Sequence, residues 1–191
     1  MKTLVGVLAC LGFACMMPAQ PASTQNQSSA GQSASTQAAA NPISTGTKLV
    51  YMHMKNTIMQ AAEQMSEADY SFRPVATVRT FGQLVGHVAD AQYEFCSGVV
   101  GDGKKGPDVE KTKTTKADLI QSLKDAYAYC DQAYNGLTDA HAADLVKFMN
   151  RDMAKTTLLD INSAHMYEHY GNMVTYMRIK GLVPPSSQRR D

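Results

Sequence analysis

At 191 residues the chain has room for about one ordinary domain, and 18 Lys plus Arg against 17 Asp plus Glu leave a formal net charge of +1. That balance argues against the concentrated basic surface that a phosphate backbone requires, so no nucleic-acid partner is expected.

Met1-Lys2-Thr3 is a short basic start, followed by an apolar run from Leu4 to Ala14 and by Pro18-Ala19-Gln20-Pro21-Ala22. This is the layout of a secretory signal peptide over residues 1–22, which implies export to a periplasmic or extracellular location. The apolar run is about half of the roughly 20 residues that span a bilayer, so no membrane span is expected. Cys15, behind Gly12-Phe13-Ala14, matches a lipoprotein cleavage site only loosely, which makes a lipid anchor the lesser alternative. Residues 23–44 are mostly Ser, Gln, Ala, Thr and Asn, without aromatic residues or charge. Such a segment buries too little apolar surface to offset its ordering entropy, so it reads as a disordered linker. The folded body then runs over 45–184, leaving 185–191 as a tail.

Within the body, Tyr51, Met54, Ile58, Ala62 and Met65 recur at steps of three and four, which predicts a first amphipathic helix. Ser66 to Pro74 breaks it. Thr80-Phe81-Gly82-Gln83 has the form of a capping box, and Phe81, Leu84, Val88, Ala91 and Phe95 carry the stripe of a second helix that stops near Gly98 and Gly101. Lys104, Lys105, Lys111, Lys113 and Lys116 cluster next, interleaved with Asp102, Asp108 and Glu110, and read as a solvated linker. Thr115 caps a third helix with Leu119, Leu123, Ala126, Cys130 and Ala133 inward, ended by Asn135-Gly136. Thr138 to Asp152 lacks a sustained period and reads as a long connection with one extended piece around Leu145 to Met149. Thr157-Leu158-Leu159-Asp160 offers the cap of a fourth helix, which runs to Arg178 and Lys180 before Gly181 and Pro184. Four such helices without a convincing strand pattern predict an all-α four-helix bundle.

The inward stripe of the fourth helix reads Leu158, Ile161, His165, His169, Asn172, Tyr176 and Ile179. Two imidazoles at i and i+4 share one helix face about 5–6 Å apart at Cβ, close enough for both rings to reach one ion. His87, between Leu84 and Ala91, borders the buried stripe of the second helix and can supply a third ligand. Three buried rings without partners would cost about 1–3 kcal/mol each, which a divalent metal or a hydrogen-bond network must offset. The alternative is that His87 bonds Asp90 or a backbone carbonyl and the other two make similar contacts. His53 and His141 read as solvated. Glu168 and Asp90 are the nearest acidic candidates for a catalytic role in proton transfer or for orienting a ligand. Cys96 and Cys130 form either a disulfide between the second and third helices or two small buried apolar side chains.

His165-Met166-Tyr167-Glu168-His169 also spells the H-x-x-E-H pattern of the inverzincin proteases. That class has a much larger fold and an acidic third ligand well downstream, for which the remaining chain is too short. Taken together, Tyr70-Ser71-Phe72-Arg73-Pro74, Arg79 to His87 and His165 to His169 resemble the DinB-like (DinB/YfiT-related) family of metal-dependent bundles, over about Lys48 to Leu182. The resemblance implies one ligand on the second helix and a His-x-x-x-His pair on the last long one, a pattern that His87, His165 and His169 fit. It also implies thiol-dependent transferase or isomerase chemistry in which the metal holds a thiolate; since three neutral imidazoles leave an open position that can activate a bound thiol or water, a metal-dependent transferase or hydrolase is expected. Its partner would be a small-molecule substrate or thiol. A non-catalytic bundle that binds metal or a small ligand is the competing reading. Three imidazoles suit zinc, nickel, copper or iron, with zinc or nickel expected. Bundles of this sort can pair as a homodimer, although no heptad seam here argues for one.

Overall fold

Proline at the first helical position is preorganised for the turn, and Pro42 opens helix α1, Pro42–Gln64, in the computed structural model, which describes residues 40–188. The signal peptide and the linker up to residue 39 lie outside the described residues, as do residues 189–191. The folded body therefore begins three residues before Thr45. Asp139 accounts for this: its carboxylate accepts the free N–H groups of Ile43 and Ser44 at 3.1 and 2.8 Å, and its own N–H donates to Asn41 Oδ1 at 3.0 Å. At the other end, Ser186 donates its N–H to the Tyr170 hydroxyl, which donates back to Ser186 Oγ. A 3₁₀ turn, Pro185–Ser187, thus packs on the body instead of starting a tail.

The remaining elements follow in order: a 3₁₀ turn Glu67–Ser71, α2 Phe81–Val100, α3 Val109–Thr112, α4 Lys116–Gly136, a 3₁₀ turn Asp139–His141, β1 Leu145–Phe148, β2 Arg151–Ala154 and α5 Lys155–Ile179. The four long helices form the expected bundle, with α2 packed on both α4 and α5 and α1 closing the other side. Thr80 and Gln83 make both bonds of the capping box, and Thr115 Oγ1 accepts from the Asp118 N–H. The inward residues expected for the first three helices are all buried. A disulfide joins Cys96 on α2 to Cys130 on α4, with Cα atoms 5.3 Å apart. Asn162 on α5 sits against it, fully buried, donating to Gln92 Oε1 and the Tyr134 hydroxyl. No helix among the described residues is long and apolar enough to cross a membrane.

Three expectations require correction. The connection after α4 holds a two-stranded antiparallel hairpin, pairing Leu145 with Ala154 and Phe148 with Arg151. Its turn residues Met149 and Asn150 both take positive φ, the combination that matches the twist of paired strands. Helix α5 starts at Lys155, before the Thr157 signal, because β2 feeds it directly. Its first free donors, Lys155 N–H and Thr156 N–H, reach the carbonyls of Asp144 and Ala142. Its buried face is also rotated: Leu159, Asn162, Met166, Tyr170, Met173 and Met177 face the core, while Ile161, Asn172 and Ile179 are exposed. His165 and His169 consequently stand on the shoulder of the buried stripe, beside α2, rather than in the middle of the core.

Candidate metal centre

Gly86, one residue before His87, permits the arrangement around the site. A Cβ at Gly86 would lie 2.7 Å from Glu110 Cα and 2.9 Å from its nitrogen, so only glycine lets the loop after α2 lie directly on that helix. Val109, the one apolar residue of this stretch, is fully buried there. Both oxygens of Asp90 accept backbone N–H groups, from Val109 at 2.7 Å and Glu110 at 2.9 Å. The Lys-rich segment is therefore not wholly a solvated linker: it contains the short helix α3, and its Glu110 is carried to His87.

The three histidines converge. His165 Nε2 lies 3.2 Å from His87 Nε2 and 2.9 Å from His169 Nε2. Two nitrogens bound to one ion at about 2.0–2.1 Å and at tetrahedral to right angles are themselves about 2.9–3.4 Å apart. Both spacings fall in that range. Glu110 Oε2 sits 3.1 Å from Nδ1 of His87 and its Oε1 accepts from Nε of Arg79 at 2.8 Å. A carboxylate on Nδ1 fixes the proton there and leaves the Nε2 lone pair facing the other two rings. Nδ1 of His165 and of His169 are buried without a hydrogen-bond partner among the described residues.

Electrostatics keep the helix α5 pair neutral. Burial, reinforced by the His169 and His87 rings and by Arg79, pushes His165 down to about 4. Burial, reinforced by the His87 ring and Arg79, does the same for His169, also to about 4, partly opposed by Glu168 and Glu110. Neutral imidazole is the form that ligates a metal. Phe95 lies edge-on to His165 with centroids 5.4 Å apart, and Phe148 of β1 packs on Phe95, so the hairpin helps to wall the site. A cleft of about 550 Å³ reaches His169 from solvent, with Arg79, Glu110 and Glu168 on its walls.

Of the residues singled out from sequence, His87, His165 and His169 come together as the cluster of ligating side chains found among the described residues. Glu168 is exposed and lines the cleft next to His169. Asp90 binds the backbone of the loop, so its carboxylate acts through Glu110 rather than on the cluster. His53 is exposed on α1, and His141 pairs with Asp144 on the surface. Glu110 is the residue that pattern reading passes over.

A family model for the DinB superfamily matches residues 53–173, a span that includes all three histidines. The chain belongs to the DinB superfamily. Among DinB-superfamily relatives, it is 25% identical over 134 residues to the uncharacterized protein YjoA of Bacillus subtilis (strain 168), covering 69% of this chain and 86% of that protein. Two solved structures share the DinB-like fold. A DinB-like protein from Bacillus cereus ATCC 10987 superposes with a TM-score of 0.65 at 18% identity, over 73% of this chain and 94% of that one. The structure of YjoA superposes with a TM-score of 0.61 at 23% identity, over 79% of this chain and all of YjoA.

Proposed function

We propose that this DinB-superfamily protein is an exported metalloprotein that holds one divalent ion, zinc or nickel, on His87, His165 and His169, and that it acts as a transferase or hydrolase on a small molecule. The observation that carries this reading is that one ring nitrogen from each of the three histidines lies within 4.8 Å of the other two, with the separations from His165 Nε2, 3.2 and 2.9 Å, suiting a shared ion. The protein's own hydrogen bonding is a poor substitute. With the His87 proton held on Nδ1 by Glu110, the three inward nitrogens cannot all be paired, because His165 Nε2 has one position to share between two neighbours.

When bound, such an ion supplies Lewis acidity that lowers the pKa of a water or thiol in its open position. The chain supplies the rest. Glu110 orients His87, Phe95 and Phe148 shield one side, and the cleft beside His169 admits the substrate. Glu168, on the cleft wall next to His169, is the carboxylate positioned to exchange a proton with a ligand there. Export rests on the layout of residues 1–22 and is supported by the buried Cys96–Cys130 disulfide, a bond that persists in oxidising compartments.

Elemental analysis of protein dialysed against zinc or nickel tests the site, with about one ion per chain expected for a closed three-histidine set. Full metal retention by the His165→Ala and His169→Ala variants would contradict it. Incubation of the loaded protein with a panel of thiols and electrophiles tests the chemistry. Turnover that disappears in the same variants is expected, and no turnover with any pair would contradict the enzymatic part of the reading.

A further inference from the structure

The cleft that reaches His169 is lined by Arg73, Arg79, Gln83, Glu168 and Asn172. Its two guanidinium groups are incompletely used by the protein. Arg73 donates through Nη1 to the Ala76 carbonyl at 3.1 Å and has no ion-pair partner among the described residues. Arg79 gives only Nε to Glu110, so its two terminal nitrogens have no protein acceptor among the described residues. The Arg79 backbone is held in place by the Tyr176 hydroxyl, which donates to its carbonyl at 2.9 Å. A second cleft, of about 700 Å³, shares Arg79, Gln83 and Glu110 and adds Lys111 and Lys113. Across the two clefts, four cations (Arg73, Arg79, Lys111, Lys113) face two carboxylates (Glu110, Glu168), an excess of two positive charges in a chain whose total is +1.

Guanidinium forks match planar and tetrahedral oxyanions. Within the His169 cleft Arg73 and Arg79 are balanced in number by Glu110 and Glu168, and the surplus of positive charge comes from Lys111 and Lys113 of the adjoining cleft, so acid recognition there rests on the unused guanidinium donors. From the juxtaposition of Arg73 and Arg79 with His169 in one cleft, we infer that the substrate is a small acidic molecule, bearing a carboxylate or phosphate that these arginines hold while its reactive end lies at the histidines. That the occupant is the substrate rests on the metal reading above; the preference of the cleft for acids does not. Glu110 has a double part, since it orients His87 and holds the Nε edge of Arg79, so that the acid-binding and histidine halves of the site share one carboxylate.

Isothermal titration of the full, metal-free chain with succinate, inorganic phosphate and the neutral succinamide separates these claims. Succinate or phosphate should bind about tenfold or more tightly than succinamide, and the tighter of the two identifies the acid group recognised. Arg73→Gln and Arg79→Gln should each weaken the preferred acid about fivefold or more while circular dichroism shows an intact helical fold. Arg73 lies on an exposed loop, so its variant stands as the control should Arg79→Gln disturb Glu110. His53→Ala, on the exposed face of α1 and outside both clefts, should leave acid binding unchanged. Equal binding of acids and succinamide, or wild-type affinity in both arginine variants, would overturn the inference. Absence of metal from the loaded wild-type protein would instead strike the functional reading and leave the acid titration standing.

Discussion

Glu110 Oε2 meets Nδ1 of His87 at 3.1 Å across 23 residues of sequence, from a loop that packs on α2 only because residue 86 is glycine. A carboxylate behind a ligating imidazole raises its basicity and fixes its tautomer. Glu110→Gln should therefore lower metal affinity about 10- to 100-fold while leaving the helical fold in place. Competition with a chromophoric chelator measures it; wild-type affinity in the variant would remove Glu110 from the site.

Gly86→Ala tests the close approach itself. A Cβ 2.7 Å from a backbone atom forces the loop to move, and overpacking of this kind costs about 1–3 kcal/mol. The variant should lose that much stability in urea and also bind metal more weakly, because Glu110 moves with the loop. Gly171 is the matched control: it lies within α5 with nothing within 4 Å of its Cβ position, so Gly171→Ala should gain about 0.5–1 kcal/mol.

The pH dependence of the metal-free protein follows from His165 and His169. Both are depressed from 6.5 to about 4 by burial and neighbouring charge. Between those values the unfolded chain binds protons that the folded chain refuses, so stability rises with pH across this interval. The melting temperature should hold above about pH 6.5 and fall as the pH drops towards 4. The His165→Asn/His169→Asn double variant should show a flatter profile over the same range. Parallel profiles would contradict the burial of these rings.

The Cys96–Cys130 bond closes a loop of 34 residues between two packed helices. Replacing both cysteines by alanine should cost about 2–4 kcal/mol in chemical denaturation, since the unfolded chain regains the freedom of that loop. Both sulfurs are fully buried, so the chain is alkylated after unfolding without reductant, which should label neither Cys96 nor Cys130. Labelling of both would refute the disulfide.

Much of this site is legible in the sequence because helices α1, α2 and α4 obey strict apolar periodicity and carry strong caps at Thr80 and Thr115. Helix α5 does not. Its core face includes Asn162, Ser163 and Tyr170, whose polar atoms are satisfied internally, while Ile161 and Ile179 face solvent, so counting apolar residues rotates the stripe. The histidines are identified despite the rotation, because the i and i+4 relation holds wherever the face points. The extended piece expected around Leu145 to Met149 is β1, but its partner β2 escapes notice for a different reason: the four-residue strands bury only part of one face, and the Met149-Asn150 turn lacks the glycine that marks such loops. Glu110 is hidden by its lysine neighbours. The available signals were the isolated apolar Val109 in a charged run and the glycine directly before His87.

Anomalous scattering from crystals of the zinc-loaded protein shows whether one ion sits between the three imidazoles. One peak is predicted at about 2.0–2.1 Å from Nε2 of each of His87, His165 and His169, with Glu110 still on Nδ1 of His87. A loaded crystal with no peak among those three nitrogens, or with its peak elsewhere on the chain, would mean that the histidines do not hold the ion.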